Sequence, residues 1–327
     1  MMNTLHLPNT SLEASRIAYG CMNLGGGWGR EPLTEPTKQA ALAAIRAALE
    51  QGLNFFDHAD IYCRGKSEEI FALIWQEQPG LRDRVILQTK CGIRFEGDPD
   101  GRAPGRYDFS YAHILNSVEG SLKRLKTDYL DILLLHRPDA LVAPEEVARA
   151  FDELHTSGKV RFFGVSNHTA AQIELLRKYV RQPLVVNQVE LSLLHSQLID
   201  AGIVFNQTQP PGPMHNEGTL EYCRLHDITL QAWGPLASGA VIGSGRGPLS
   251  DAAKNVSALA ADLAREKNVS PEAIALVWLL RHPARIQPII GTTNPARIRA
   301  ACEADRVELT REEWYRLFIA GRGALVP

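Results

Sequence analysis

The segment FFDHADIY, residues 55–62, passes from an apolar run into Asp57, His58, Asp60 and Tyr62. Further along, VILQTK ends in Lys90 and DILLLH ends in His136. A carboxylate, a phenol, an ammonium and an imidazole brought together make a usable general acid. A phenol left to itself titrates near 10, so its anion must be stabilised before it gives up a proton at neutral pH. Lys90 would favour the phenolate of Tyr62. Asp57 would keep Lys90 charged, because a buried ammonium without a partner tends to lose its proton. His136 would hydrogen-bond the Tyr62 hydroxyl or a substrate oxygen, giving a donor pair aimed at a carbonyl. Such a set protonates an oxygen as negative charge develops on it, which suits hydride addition to an aldehyde or ketone. Taken singly, each has a plainer role: Asp57 as a turn or cap, Tyr62 as packing, Lys90 as a solvated strand end, His136 as a structural histidine.

Residues so far apart need a scaffold that gathers strand ends. Short apolar runs at 16–19, 54–57, 85–89, 129–135, 160–165, 184–188, 229–232 and 286–290 alternate with amphipathic stretches near 36–50, 67–77, 110–125, 144–157, 169–179, 217–226, 255–267 with 271–281, and 295–303. Start signals precede several of the latter: Ser67, Ser110, Pro144, Thr169 and Ser270 with Pro271. Eight such units fit a (β/α)8 barrel better than an open doubly wound sheet. The expected fold is one barrel domain over 1–327, with an N-terminal β-hairpin and an extra C-terminal helix. A barrel works at the C-terminal ends of its strands, and polar or aromatic residues stand there in succession: Asp57, Lys90, His136, Ser166 with Asn167, Gln188 and Trp233.

Hydride transfer needs a donor, yet no G-x-G-x-x-G follows a strand, and Gly243 to Gly247 has the wrong spacing. P-loop, H-E-x-x-H and G-x-S-x-G patterns are absent too. A nicotinamide can instead be held by side chains at the barrel mouth. Ser166, Asn167 and Gln188 offer hydroxyl and amide groups, and Trp233 an aromatic face. Gly234, Pro235, Leu236, Ala237, Ser238 and Gly239 let backbone N–H groups approach a pyrophosphate. Gly291, Thr292, Thr293 and Arg297 lie on a loop running into a helix N-terminus, which suits a phosphate.

The composition agrees with a soluble enzyme. The 327 residues are 45% hydrophobic, and 35 Lys plus Arg against 37 Asp plus Glu leave a formal charge of −2. No basic stripe invites nucleic acid. Cys21, Cys63, Cys91, Cys223 and Cys302 are odd in number and scattered, which reads as reduced thiols in a cytoplasmic protein without a metal site. No apolar stretch has the length of a signal peptide core or a membrane span. The Gly/Pro clusters at 209–218 and 239–248 read as long loops. Substrate-pocket walls are expected from 24–32, 93–110 and 192–217, with Trp28, Phe95, Tyr107 and Phe109 as aromatic candidates.

The segments GLNFFDHADIY, ILQTKCG, DYLDILLLHRPD, GKVRFFGVSN, VNQVE and QAWGPLASG resemble the aldo-keto reductase superfamily, in particular its bacterial oxidoreductase branch related to potassium-channel β subunits. The likeness runs from about residue 14 to the end. It implies that Asp57, Tyr62, Lys90 and His136 are the catalytic tetrad, with Tyr62 the proton donor. In the branch that reduces carbon–carbon double bonds the histidine is replaced by glutamate, so His136 implies carbonyl reduction. It further implies that Ser166, Asn167 and Gln188 hold the carboxamide of a nicotinamide that stacks on Trp233, with Cys21 and Met22 also in the cofactor set. NADPH is the expected cofactor, with the 291–297 loop at its 2′-phosphate, and NADH stays open. The chain departs from the family pattern at His58, usually threonine; at Cys63, often glycine; at Gly291, often lysine; and at Ala300-Ala301, usually an acidic residue and Asn. A Schiff-base aldolase using Lys90 and an NADPH-holding redox-sensing subunit are the competing readings. Neither the substrate nor the oligomeric state is legible.

Overall fold

The computed structural model describes residues 2–204, 218–245 and 247–327. The Gly/Pro cluster at 209–218 and part of the 192–217 wall, together with Arg246, lie outside them, save Gly218. Eight parallel strands close into a barrel in chain order: β1 (Ala18–Gly20), β2 (Phe55–Asp57), β3 (Ile86–Cys91), β4 (Leu130–Leu135), β5 (Val160–Ser166), β6 (Leu184–Glu190), β7 (Thr229–Trp233) and β8 (Gln287–Ile290), with β8 pairing back to β1. Before them, Thr4–His6 and Glu13–Ser15 form an antiparallel hairpin.

Period-two alternation decides what faces the barrel interior. Ala18, Phe55, Ile86, Ile132, Leu134, Val186 and Ile289 form an inner apolar cluster, and Leu7, Leu12 and Ala14 of the hairpin close it from below. Two residues on from Phe55, and four on from Ile86, come Asp57 and Lys90, so the strands that fill the core also lift the polar residues to its upper rim. The outward faces meet the helices in a second, larger core.

The helices start largely where the sequence signals them. Ser110 accepts from the His113 N–H, Thr169 forms a capping box with Gln172, and Ser270 accepts from the Ala273 N–H. Pro144 takes the first helical position, after Ala143. Ser67 departs from expectation: it lies inside the helix Lys66–Phe71, and its hydroxyl donates to the Met22 carbonyl instead of capping. The stretch expected as one helix over 67–77 breaks into Lys66–Phe71 and Ile74–Glu77. Within 93–110 a small hairpin pairs Ile93–Arg94 with Arg106–Tyr107. The closing helix Arg311–Arg322 packs through Trp314 on Trp278, rings stacked 5.2 Å apart, with the Trp314 indole N–H on the Trp278 carbonyl.

Candidate active site

Asp57 ends β2, and its chain then turns through His58-Ala59-Asp60-Ile61 into a tight turn at Tyr62–Gly65. Cys63 (φ 49°) and Arg64 (φ 60°) are left-handed there, and Gly65 (φ 87°) follows. Two non-glycine residues in that region cost about 1–2 kcal/mol each. The surroundings hold them. The Cys63 thiol lies 3.2 Å from both the Met22 and Gly26 carbonyls, Arg64 Nε donates to the Trp28 carbonyl at 2.9 Å, and Lys66 Nζ donates to the carbonyls of Gly29 and Glu31. This turn fixes Tyr62 over the barrel mouth, with Trp28 edge-on to its ring.

Lys90 lies at the centre, fully buried. Its ammonium donates to Asp57 Oδ2 at 2.7 Å and Oδ1 at 2.8 Å, to the His58 carbonyl at 2.8 Å, and meets the Tyr62 hydroxyl at 3.0 Å. Burial pulls its pKa down, but Asp57 and Tyr62 more than restore it, leaving it above the ordinary lysine value. For Tyr62, burial is the largest influence and raises the phenol pKa; Lys90 lowers it and Asp57 raises it again. The net shift is upward, so Tyr62 holds its proton at neutral pH, and the pull of Lys90 acts against burial without overcoming it. His136 contacts the Tyr62 ring edge-on, centroids 5.9 Å apart, instead of hydrogen-bonding its hydroxyl. Burial, then Lys90 and Arg137, push its pKa well below the usual histidine value, so the imidazole is neutral.

The other strand ends surround this group. Asn167 (φ 62°) donates through its amide to Ser166 Oγ at 2.9 Å and to the His136 carbonyl at 3.3 Å, while its oxygen accepts from the Trp233 indole at 3.0 Å. Trp233 is half-buried, with the Arg137 guanidinium 5.5 Å from its ring centre. Both hydrogens of the Gln188 amide are used inside the barrel, on Asp57 and Gln231, so the group left for a carboxamide is its oxygen. Cys21 is fully buried and Met22 exposed.

After β7, Gly234 (φ 65°), Ala237 (φ 46°), Ser238 (φ 54°) and Gly239 (φ 91°) are left-handed. Ala237 and Ser238 hold this conformation without glycine's freedom, in a turn whose Ala237 and Gly239 N–H groups donate to the Gly234 and Leu236 carbonyls at 2.8 Å. That strained run, the hydroxyl and amide set and the indole fit a nicotinamide dinucleotide. At the last loop the Asn294 side chain already accepts from the N–H groups of Ala296 and Arg297. The helix N-terminus is thus partly satisfied, leaving the hydroxyls of Thr292 and Thr293 and the exposed Arg297 as donors for a phosphate.

Several participants escape a reading of strand ends. Gln88, Gln231 and Gln287 are fully buried polar side chains within strands. His58 is fully buried against Phe71 with neither ring nitrogen bonded, and burial pushes its pKa to about 3. Asp60 has its carboxyl pushed up to about 7 by burial and by Glu68. Of the aromatic wall candidates, Phe109 is withdrawn: it is buried and stacked on His168, 6.2 Å between centroids. Trp28 and Tyr107 are exposed, and Arg64 covers Phe95.

Comparison with known proteins gives one answer. The profile described as "Aldo/keto reductase family" matches residues 16–320. The 6-dehydroglucose reductase of Agrobacterium fabrum is 36% identical, over 95% of this chain and 96% of its own. The uncharacterized oxidoreductase YcsN of Bacillus subtilis is 38% identical, over 97% of both chains. Among solved structures, the glycerol dehydrogenase of Gluconobacter oxydans superposes with a TM-score of 0.80 at 24% identity, over 97% of this chain and 94% of that one, a likeness of fold.

Proposed function

Because the chain belongs to the aldo/keto reductase family and is an NAD(P)H-dependent oxidoreductase, we propose that it reduces an aldehyde or ketone to the alcohol with NADPH, Tyr62 supplying the proton. The observation that carries this is the Lys90 ammonium, which bridges Asp57 and the Tyr62 hydroxyl inside the barrel. A bound reduced nicotinamide supplies the hydride for the carbonyl carbon. Tyr62 delivers the proton to the carbonyl oxygen as negative charge forms there, and Lys90 takes the resulting phenolate as a neighbour. His136, neutral, is a second donor for the same oxygen and fixes its direction. Schiff-base chemistry at Lys90 requires a neutral amine, whereas Asp57 holds this one charged.

Ser166, Asn167 and Gln188 would hold the carboxamide and Trp233 the ring. The 234–239 run would hold the pyrophosphate, and Thr292, Thr293 and Arg297 the 2′-phosphate, which favours NADPH over NADH. The relative's name makes sugar aldehydes the first substrates to try. The test is NADPH and NADH oxidation against a panel of aldehydes, ketones and aldoses, with Tyr62→Phe alongside. Loss of a general acid lowers turnover about 100-fold or more. Turnover by Tyr62→Phe within a few-fold of the parent would defeat the assignment.

A further inference from the structure

We propose that Gln88 and Gln231 are positioning residues for the proton donor, acting through Asp57 by way of a chain of buried amides that runs down the barrel. This rests on the reaction proposed above. Ser166, Gln188, Gln231 and Gln287 are paired in register across β5 to β8, and Asp57 and Gln88 are paired across β2 and β3. Gln287 Nε2 donates to the Ser15 carbonyl at 2.7 Å, and Gln231 Nε2 donates to Gln287 Oε1 at 2.9 Å. Gln231 Oε1 in turn accepts from Gln88 Nε2 at 2.8 Å and Gln188 Nε2 at 3.0 Å. The second hydrogens of those two amides go to Asp57 Oδ1, at 2.6 and 3.0 Å.

The direction of the chain is fixed from both ends. A backbone carbonyl at the bottom and a carboxylate at the top can only accept, so every amide between them has one permitted orientation. Gln88 shows the cost of that arrangement: its oxygen is buried with no partner. Rotating the amide would satisfy nothing and would set an oxygen against the Asp57 carboxylate. An uncompensated buried acceptor is unfavourable, and a leucine or methionine there would remove it. What Gln88 supplies in return is a fixed carboxylate. With Oδ1 held by two amides, Asp57 cannot turn, and both its oxygens stay on the Lys90 ammonium, which reaches the Tyr62 hydroxyl.

The experiment is Gln88→Met in the full-length protein, with Gln88→Leu as a second variant. Three properties are read: the thermal midpoint, the alkaline ultraviolet titration of Tyr62 as the difference between each protein and its Tyr62→Phe counterpart, and turnover with NADPH. The charged and titratable groups facing Tyr62 are Lys90, Asp57, Cys21 and the neutral His136. Removing a donor leaves the Asp57 charge less neutralised. The Tyr62 titration then moves upward by about half a unit, turnover falls about tenfold with the KM for NADPH unchanged, and the midpoint does not drop. A folded variant with the parent's phenol titration overturns the proposal, whatever its turnover. The titration needs no substrate, so a displaced titration in a protein that reduces no carbonyl would sustain the positioning role and refute the reaction instead.

Discussion

Asp57→Asn separates the charge of Asp57 from its shape. The carboxylate sits 2.7 Å from a fully buried ammonium. At an effective dielectric of about 20, the pair attracts by about 6 kcal/mol, before the desolvation of both ions is subtracted. Removing one partner of such a pair costs about 3–5 kcal/mol, because the other charge is left buried alone. At about 2 °C per kcal/mol, the midpoint should fall by roughly 6–10 °C. The functional consequence has a distinctive sign. Without Asp57, burial outweighs the remaining support from Tyr62 and depresses the Lys90 pKa, so the amine gives up its proton more readily and the phenol loses its cationic neighbour. The parent should be nearly flat between pH 6 and 8, since Lys90 and Tyr62 titrate above their ordinary values and His136 below its own. Asp57→Asn should gain activity as pH falls across that window and Lys90 regains its proton. Initial rates of NADPH oxidation at saturating substrate, with a thermal melt of the same sample, check both parts. A variant that melts with the parent, or keeps its flat profile, would refute the reasoning.

If Arg297 meets the 2′-phosphate as proposed, Arg297→Ala should raise the KM for NADPH about tenfold and leave NADH nearly untouched; steady-state kinetics with both cofactors decide it. Acid should destabilise the fold. His58, held at about 3, His168 and His282, each at about 4, and His136 stay neutral in the native protein, whereas the unfolded chain protonates them near 6.5. Stability is therefore lost as pH falls below 6.5. Asp60, raised to about 7, opposes this with one proton. The remaining difference of about three protons gives a slope near 4 kcal/mol per pH unit at its steepest, and His58→Asn should flatten it in urea titrations. Gly92→Ala should destabilise by about 2 kcal/mol or more in the same assay. Its φ is +101°, and a Cβ would stand 2.3 Å from Phe109 Cε1.

The barrel is legible because each unit repeats the same local contrast, a short β-branched or aromatic run followed by a polar residue. Lys90 after VILQT and His136 after DILLL announce both the strand and the direction in which it ends. The strand ends also assemble Asp57 and Tyr62 with them, since a five-residue spacing lets the turn fold back over the mouth. The amide chain is hidden for a different reason. A glutamine inside an apolar strand reads as noise when only strand ends are inspected. Yet Gln88 stands two before Lys90 and Gln231 two before Trp233, so the period of the strand already places each on its neighbour's face. The fate of Ser67 and Phe109 was hidden more deeply. Ser67 is claimed by the Met22 carbonyl and Phe109 by the space beneath Gly92, and both depend on contacts made after the chain has folded.

The N-terminal hairpin closes the floor of the barrel, and the two ends of such a barrel ordinarily divide their labour, chemistry above and stability below. Here the floor also supplies a fixed reference. The Ser15 carbonyl is the terminus from which the orientation of every amide up to Asp57 follows. Transplanting the upper loops onto another barrel would leave that compass behind, and grafts that keep the hairpin together with the strand residues Gln88, Gln188, Gln231 and Gln287 should outperform those that keep the loops alone.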